Sequence, residues 1–198
     1  MYAGVRATAD ADPEGTLERF RAAKDQLFAE HPDSPIPEAE RASFSGLPYW
    51  PYDPAMRFVI SIEPLEPVES SATSIGGDSF ALQRIGHVRL PVGDLEVYWI
   101  DVYGGGVFVP FRDGTSGTET YGAGRYLLDT VKGADLGGGE RGLVLDLNYA
   151  YHPSCAYDPM WSCPLAPPAN WLDEPVRTGE MLRGAGGAAG PGLASLAG

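Results

Sequence analysis

Cationic residues and long apolar runs are scarce in this chain of 198 residues. It contains 14 Lys and Arg residues against 27 Asp and Glu residues, a formal net charge of -13. Nucleic acids and anionic membrane surfaces are bound mainly by cationic side chains, so neither is an expected partner. No apolar run approaches the roughly 20 residues that span a bilayer. The opening MYAGVRATAD lacks the pattern of a signal peptide, so we expect a cytoplasmic protein.

Cysteine is also rare: the chain has only Cys155 and Cys163, with His152 nearby. Thiolate and imidazole are zinc ligands, but a fourth ligand is missing and the spacing matches no common zinc signature. We therefore expect no metal and no other cofactor. A cationic neighbour lowers a thiol pKa, so His152 could activate Cys155 as a nucleophile. The alternatives are two buried thiols that hold a loop in place, or a local disulfide.

Glycine and proline are abundant, with 26 and 18 residues, which indicates many turns and short elements. One helix is nonetheless predicted from Pro13, behind the capping residue Asp12, to the His31-Pro32 stop. Its apolar residues recur at helical spacing, at Leu17, Phe20, Leu27 and Phe28. A short second helix is predicted after Pro37, closed by Gly46.

Six β-branched and aromatic runs follow: RFVISIEPL, FALQRIGHVRLPV, LEVYWIDVY, GVFVPF, GRYLLDTV and GLVLDLNYAY. No helical pattern separates them. We predict a mainly β (α+β) fold, in which an antiparallel meander forms a small barrel or a strongly curved sheet capped by the N-terminal helix. The polar stretch between Pro64 and Asp78 is expected to be a flexible hairpin connection.

The predicted organisation is one globular domain over residues 12–183. Residues 1–11 are expected to be disordered. The stretch from Pro153 onward has no clear period and is expected to form a long ordered loop. Residues 184–198 are a Gly/Ala-rich tail with too few large apolar side chains to offset the entropy of ordering it, so they too are expected to be disordered.

Candidate site residues lie in two segments. Alternation along GLVLDLNYAY places Asp146 and Asn148 on the face opposite the leucines, where they can converge in a pocket or, if that face is exposed, serve solubility. The string FRDGTSGTETYGAGRY adds guanidinium groups that suit an anion, or a buried pair of Arg125 with Asp146 or Glu119. The predicted ligand-binding residues are Arg112, Tyr121, Arg125, Asp146, Asn148 and Tyr157, and the catalytic candidates are Asp146 and Cys155.

Three functions are compatible with these residues. The first is binding of a small molecule in a pocket lined by RDGTSGTETYGAGRY and DLNYAYHPSCAYDP. The second is a cofactor-free hydrolase in the same pocket, with Asp146 or Cys155 as base or nucleophile and Arg125 stabilising a developing anion. The third is a purely structural or interaction domain. The first two require the side chains to converge on a void, whereas the third requires filled space.

Three longer segments carry an unusual order of rare residue types. They are RAAKDQLFAEHPDSPIPEAERASFSGLPYWPYDPAMRF, VPFRDGTSGTETYGAGRYL and LDLNYAYHPSCAYDPMWSCPLAPPANWLDEPVRTGE. Together they cover most of residues 21 to 180 and resemble the uncharacterised family named domain of unknown function 1684. The resemblance implies a shared fold and a shared site but supplies no catalytic residue. The family's usual string reads Ala-Tyr-Asn-Pro where this chain has His152, so no imidazole role is implied there.

Overall fold

The structure is a computed structural model that describes residues 1–102, 104–139 and 142–184. Three α-helices are present in this part of the chain: α1 Tyr2–Thr8, α2 Pro13–Glu30 and α3 Glu38–Arg41. The predicted N-terminus of α2 is confirmed, because the Asp12 carboxylate accepts a hydrogen bond from the Gly15 N–H at 3.1 Å and Pro13 opens the helix. The short helix α3 also lies within the predicted region.

Residues 1–11 differ from the prediction, because they include α1. Val5 and Ala9 are buried in a cluster with Leu17 and Phe20 of α2. The spacing of four residues places Val5 and Ala9 on one side of the segment, and burying this small apolar stripe helps to order it. Of the tail expected to be disordered, residues 185–198 lie outside the described residues.

The described strands form two antiparallel sheets. They are β1 Arg57–Ile60, β2 Glu63–Thr73, β3 Ser79–Leu90, β4 Gly93–Ile100, β5 Gly106–Phe111, β6 Arg125–Asp129, β7 Gly138–Gly139 and β8 Gly142–Asp146. Strands β2 to β6 pair in chain order, so the predicted antiparallel meander is confirmed for the four runs that form β3 to β6. The last predicted run and the start of the first form β8 and β1 of the smaller sheet. The smaller sheet has the order β1-β8-β7.

The prediction of a barrel is not confirmed, since no closed barrel forms in the described part of the chain. Closure requires the terminal strands of one sheet to pair with each other. Here β8 pairs instead with β1, with Phe58 opposite Leu145, and so enters a separate sheet. The two sheets share one apolar core, in which Leu145 packs with Val97 and Val109 of the meander.

The polar stretch from Pro64 to Asp78 is mostly strand, so its assignment as a flexible connection is wrong. β2 pairs with β3 as far as Thr73, opposite Ser79, and only the tip of the hairpin is a turn. All but one of the β2 side chains are exposed or half-buried. An edge strand is held by its backbone ladder and does not need an apolar face, which is why the hydrophobic pattern failed to predict it.

The long ordered loop predicted from Pro153 is present and reaches Leu182, but it begins earlier, because β8 ends at Asp146 and the rest of the predicted strand GLVLDLNYAY starts with a 3-10 turn. It contains 3-10 turns at Leu147–Tyr149, Ser154–Ala156 and Pro168–Asn170. The buried Asn170 amide ties the loop to the meander, accepting from the Glu96 N–H at 2.8 Å and donating to the Pro110 carbonyl at 2.7 Å. Helix α2 packs against this loop, with the ring centroids of Phe20 and Tyr149 5.1 Å apart.

Candidate functional site

A fully buried carboxylate, Glu180, is the centre of the candidate site. The Lys24 ammonium donates to Oε2 at 2.7 Å, and the Tyr157 hydroxyl donates to Oε1. The imidazole Nδ1 of His152 lies 3.4 Å from Oε1, and the backbone N–H of His152 donates to Oε2 at 3.3 Å. Glu180 thus joins helix α2 and the first half of the loop after β8 to the last part of that loop, residues 173–182, which we call the C-terminal segment.

The charge state of Glu180 follows from these partners. Burial alone would raise its pKa, but the Lys24 ammonium and the interactions with His152 outweigh it and lower the pKa to about 2. Burial raises the pKa of Tyr157, so the phenol keeps its proton and donates it to the carboxylate. At neutral pH the cluster therefore contains an ionised Glu180 surrounded by donors.

His152 is held from both sides. Its Nε2 accepts a hydrogen bond from the Tyr121 backbone N–H at 3.1 Å, while Nδ1 faces Glu180. An accepting Nε2 means that the imidazole is neutral with its proton on Nδ1. Burial favours the same state and lowers the pKa of His152. Both ring nitrogens are engaged, so His152 positions the chain and is not available as a general base.

Arg125 forms a second buried ion pair, but the predicted partners, Asp146 and Glu119, are wrong. Its Nη2 donates to Asp113 Oδ2 at 2.6 Å and to the Val176 carbonyl at 2.8 Å. The turn after β5 aims the Asp113 carboxylate inward, because Oδ1 accepts from the Thr115 N–H at 2.7 Å. Glu119 instead pairs with Arg177 at the surface.

The Arg125 network also holds the C-terminal segment. Its guanidinium donates to the Val176 and Thr178 carbonyls, four and two residues before Glu180. The Arg125–Asp113 pair, in which each side chain is 1% exposed, is tolerated because nearly all of its charged atoms have hydrogen-bond partners. The FRDGTSGTETYGAGRY string therefore fixes the approach to Glu180, and its predicted role in contacting a ligand through Arg125 stays a prediction.

Asp146 and Asn148 do meet, but through a turn and not through strand alternation. β8 ends at Asp146, whose Oδ1 accepts from the Asn148 N–H at 2.9 Å and from Asn148 Nδ2 at 2.8 Å. Asn148 in turn binds both backbone groups of Asp53, at 2.9 and 2.8 Å. Burial raises the pKa of Asp146 despite these bonds. The pair anchors the Pro-rich connector before β1.

Arg112 contacts the 170–172 segment. Its guanidinium carbon lies 4.4 Å above the ring of Trp171, and its backbone N–H donates to the Asn170 carbonyl at 2.9 Å. The predicted ligand-binding residues are thus distributed over several clusters. Of the six, Tyr121 and Tyr157 belong to the cluster around His152 and Glu180.

Cys155 and Cys163 are both free and buried, and they pack with Tyr121. The hydrogen bond with Cys163 and burial raise the pKa of Cys155. His152 directs Nε2 to the Tyr121 N–H, so it does not activate Cys155. The structure therefore gives no support to Cys155 as a nucleophile activated by His152.

A hollow of about 140 Å³ opens beside the Glu180 cluster. It is lined by His152, Ala156, Tyr157, Leu182 and Arg183. Arg183 Nη1 lies 2.9 Å from Glu40 Oε2 in a solvent-accessible pair. A larger hollow of about 370 Å³ lies on the open surface of α2, around Leu27 and His31. We name the smaller hollow the His152 pocket.

The residues that sequence reasoning missed are Lys24, Asp113 and Glu180. Lys24 carried a usable signal, because it lies four residues after Phe20 and four before Phe28, on the apolar stripe of α2. A charged residue on a buried helix face requires a buried partner of opposite charge.

Within the described ranges, no group of three His, Cys, Asp or Glu side chains can hold a metal ion. No helix described by the structure is long and apolar enough to cross a membrane.

Comparison with known proteins gives a family but no activity. The family model described as "Protein of unknown function (DUF1684)" matches residues 42–181. The chain is also similar to an uncharacterized protein from gene locus rrnAC0354 of Haloarcula marismortui, solved by solution NMR. The two share 34% identity over 86% of this chain and 94% of that chain, with a TM-score of 0.58. None of the curated proteins matches. Since the model matches more than half of its residues, this chain belongs to the DUF1684 family.

Proposed function

We propose that the protein binds a small ligand in the His152 pocket. The observation that carries the proposal is the position of this hollow against the Glu180 cluster. His152 and Tyr157, which line the pocket, are both held by a fully buried carboxylate. A wall fixed in this way is preorganised, so little conformational entropy is lost when a ligand binds.

The size and lining of the pocket indicate the class of ligand. Cavities of about 150 Å³ accommodate a ring of about six carbon atoms, which sets the scale for this pocket. Ala156 and Leu182 provide apolar surface, and Arg183 provides a guanidinium that can bind a carboxylate through two hydrogen bonds. Its pair with Glu40 is exposed and contributes at most about 1 kcal/mol, so a ligand can replace it. We infer a small carboxylate with an apolar body.

The polar side chains that line the pocket already have hydrogen-bond partners, which favours binding over catalysis. Both ring nitrogens of His152 have partners, and the Tyr157 hydroxyl donates to Glu180. General base catalysis requires a group with a free lone pair aimed at the substrate. Asp146 is engaged with Asn148, and Cys155 packs with Cys163 and Tyr121, so the two catalytic candidates belong to different clusters.

A thermal-shift series on the purified full chain tests this proposal. Butyrate and benzoate should raise the melting temperature, and the neutral butyramide and benzamide should raise it much less. At ten times its Kd a ligand stabilises the folded state by about 1.4 kcal/mol. The variant Arg183→Gln should lose the response.

The matched control is Arg177→Gln, which removes another exposed arginine that is paired with a glutamate. It should respond like the unmodified protein. Equal responses to the acids and the amides, or a full response in Arg183→Gln, would overturn the proposal.

A further inference from the structure

The two cysteines belong to one surface-facing loop and meet behind the His152 pocket. Cys155 lies in the 3-10 turn Ser154–Ala156, and Cys163 follows the exposed stretch that contains Met160, which is 76% exposed. The thiols contact each other in a cluster with Tyr121. Both are free, so the pair is in its dithiol form.

The surroundings of the two sulfur atoms are unequal. The thiol of Cys155 and the backbone N–H groups of Cys155 and Ser154 lower the pKa of Cys163, and they outweigh burial, which raises it. The neighbouring Cys163 side chain, together with burial, raises the pKa of Cys155. Donors aimed at one sulfur stabilise a thiolate there, whereas the other sulfur keeps its proton.

Two apolar side chains lie between the thiols and the His152 pocket. Ala156 and Leu182 pack against the cysteine cluster and also line the His152 pocket. Cys155 is 9% exposed and Cys163 is 4% exposed. On the side of the pocket, the cysteine cluster is therefore covered by these two small apolar contacts and not by a sheet.

We propose that Cys155 and Cys163 are a reversible thiol–disulfide pair that reacts with low-molecular-weight disulfides, with Cys163 as the attacking thiolate and Cys155 as the resolving thiol. The proposal goes beyond ligand binding in the pocket and does not depend on it. It also differs from nucleophilic catalysis by Cys155, because here Cys155 acts second and is consumed in a disulfide.

The exchange proceeds in two balanced steps. The Cys163 thiolate attacks one sulfur of the small disulfide, whose S–S bond breaks and releases a first small thiolate. Cys155 then gives its proton to that thiolate, attacks the Cys163 sulfur and expels the second small thiolate. The protein loses two electrons and forms one S–S bond, while the small disulfide is reduced to one thiol and one thiolate, and the thiolate takes its proton from solvent.

The test uses the native full chain in glutathione buffers of increasing oxidised fraction, followed by acid quenching, alkylation and intact-mass measurement. The unmodified protein should lose the mass of two hydrogen atoms and recover it under reducing conditions. Cys155→Ser should accumulate one glutathione adduct, at Cys163. Cys163→Ser should form its adduct at least about tenfold more slowly, since its remaining thiol is protonated.

A second measurement does not require either variant to fold. Limited alkylation of the unmodified protein with iodoacetamide, mapped by peptide masses, should label Cys163 before Cys155. When the alkylation rate of Cys163 is measured against pH, its midpoint should lie below about 8.5, the pKa that is typical of a free cysteine. The proposal is overturned if the native protein forms no disulfide in oxidised buffer while the urea-unfolded chain does. Labelling of both cysteines at one common rate would overturn the assigned order of attack.

Discussion

The five-stranded meander and the region around Glu180 are stabilised in different ways. Consecutive strands β2 to β6 pair through backbone hydrogen bonds, and the core beneath them is apolar, with Val88 and Leu95 fully buried. The second region contains the loop after β8 and the groups that bind it: Lys24 of α2, the β5–β6 turn and Arg125 at the start of β6. There the buried groups include charged ones, at Lys24, Asp113, Arg125 and Glu180.

The two regions should differ in how much free energy of unfolding is lost when one side chain is substituted. An apolar core side chain loses packing when it is changed, but its neighbours are not left with an unpaired charge. A buried ion does leave its partner uncompensated, at a cost of several kcal/mol. We therefore expect the loop region to depend on single residues far more than the exposed parts of the meander do.

The largest effect should come from Glu180→Gln. The Lys24 ammonium would then remain buried without a counter-charge, so the free energy of unfolding should fall by about 3–5 kcal/mol. Urea denaturation followed by circular dichroism measures this change. Glu174→Gln, in the same segment but exposed, is the control and should stay within about 0.5 kcal/mol. Similar costs for the two variants would show that Glu180 has no special structural role.

The two arginine–carboxylate pairs near the β5–β6 turn allow a matched comparison. Arg125→Met leaves the buried Asp113 carboxylate unpaired and should cost about 3 kcal/mol. Arg177→Met removes the exposed partner of Glu119, in a pair that solvent screens, and should cost far less than Arg125→Met does. Denaturant melts of both variants test the difference, and equal losses would contradict the assignment of Arg125 as the buried anchor.

Acid should weaken the same region through Glu180. Its folded-state pKa of about 2 is below the ordinary glutamate value of 4.5, so its contribution is complete above the higher value and is lost as the pH falls towards the lower one. The stability difference between the unmodified protein and Glu180→Gln should be about 2 kcal/mol smaller near pH 3 than near pH 6. Denaturant melts at both pH values measure it. A difference independent of pH would mean that Glu180 is not ionised in the folded protein.

The smallest effect should be found on the edge strand of the meander. Val68 in β2 is 47% exposed, and its strand is held by backbone pairing to β3. Val68→Thr keeps the β-branched shape and the ladder, so the free energy of unfolding should change by less than about 0.5 kcal/mol. A chemical denaturation curve checks this value. A loss comparable to that of Arg125→Met would remove the contrast between the two regions.

The site was predictable only in fragments. Tyr121 and Tyr157 were identified because rare residue types stood close together along the chain, and these two residues do lie next to His152. The expected meeting of Arg125 with Asp146 failed, because it assumed that β6 and β8 pair as neighbours. In the structure β8 pairs with β1, and Arg125 finds Asp113 across the β5–β6 turn.

Local patterns in the sequence were sufficient for the elements that depend on local physics. The cap at Asp12 defines the start of α2, and β-branched runs bounded by turn residues define most of the meander. Tertiary structure alone decided that Lys24 meets Glu180, 156 positions away, and that β1 is completed by β8. Periodicity reports which face of an element is buried, but the partner of a buried charge depends on how distant segments are brought together. That is decided by the packing of the whole chain.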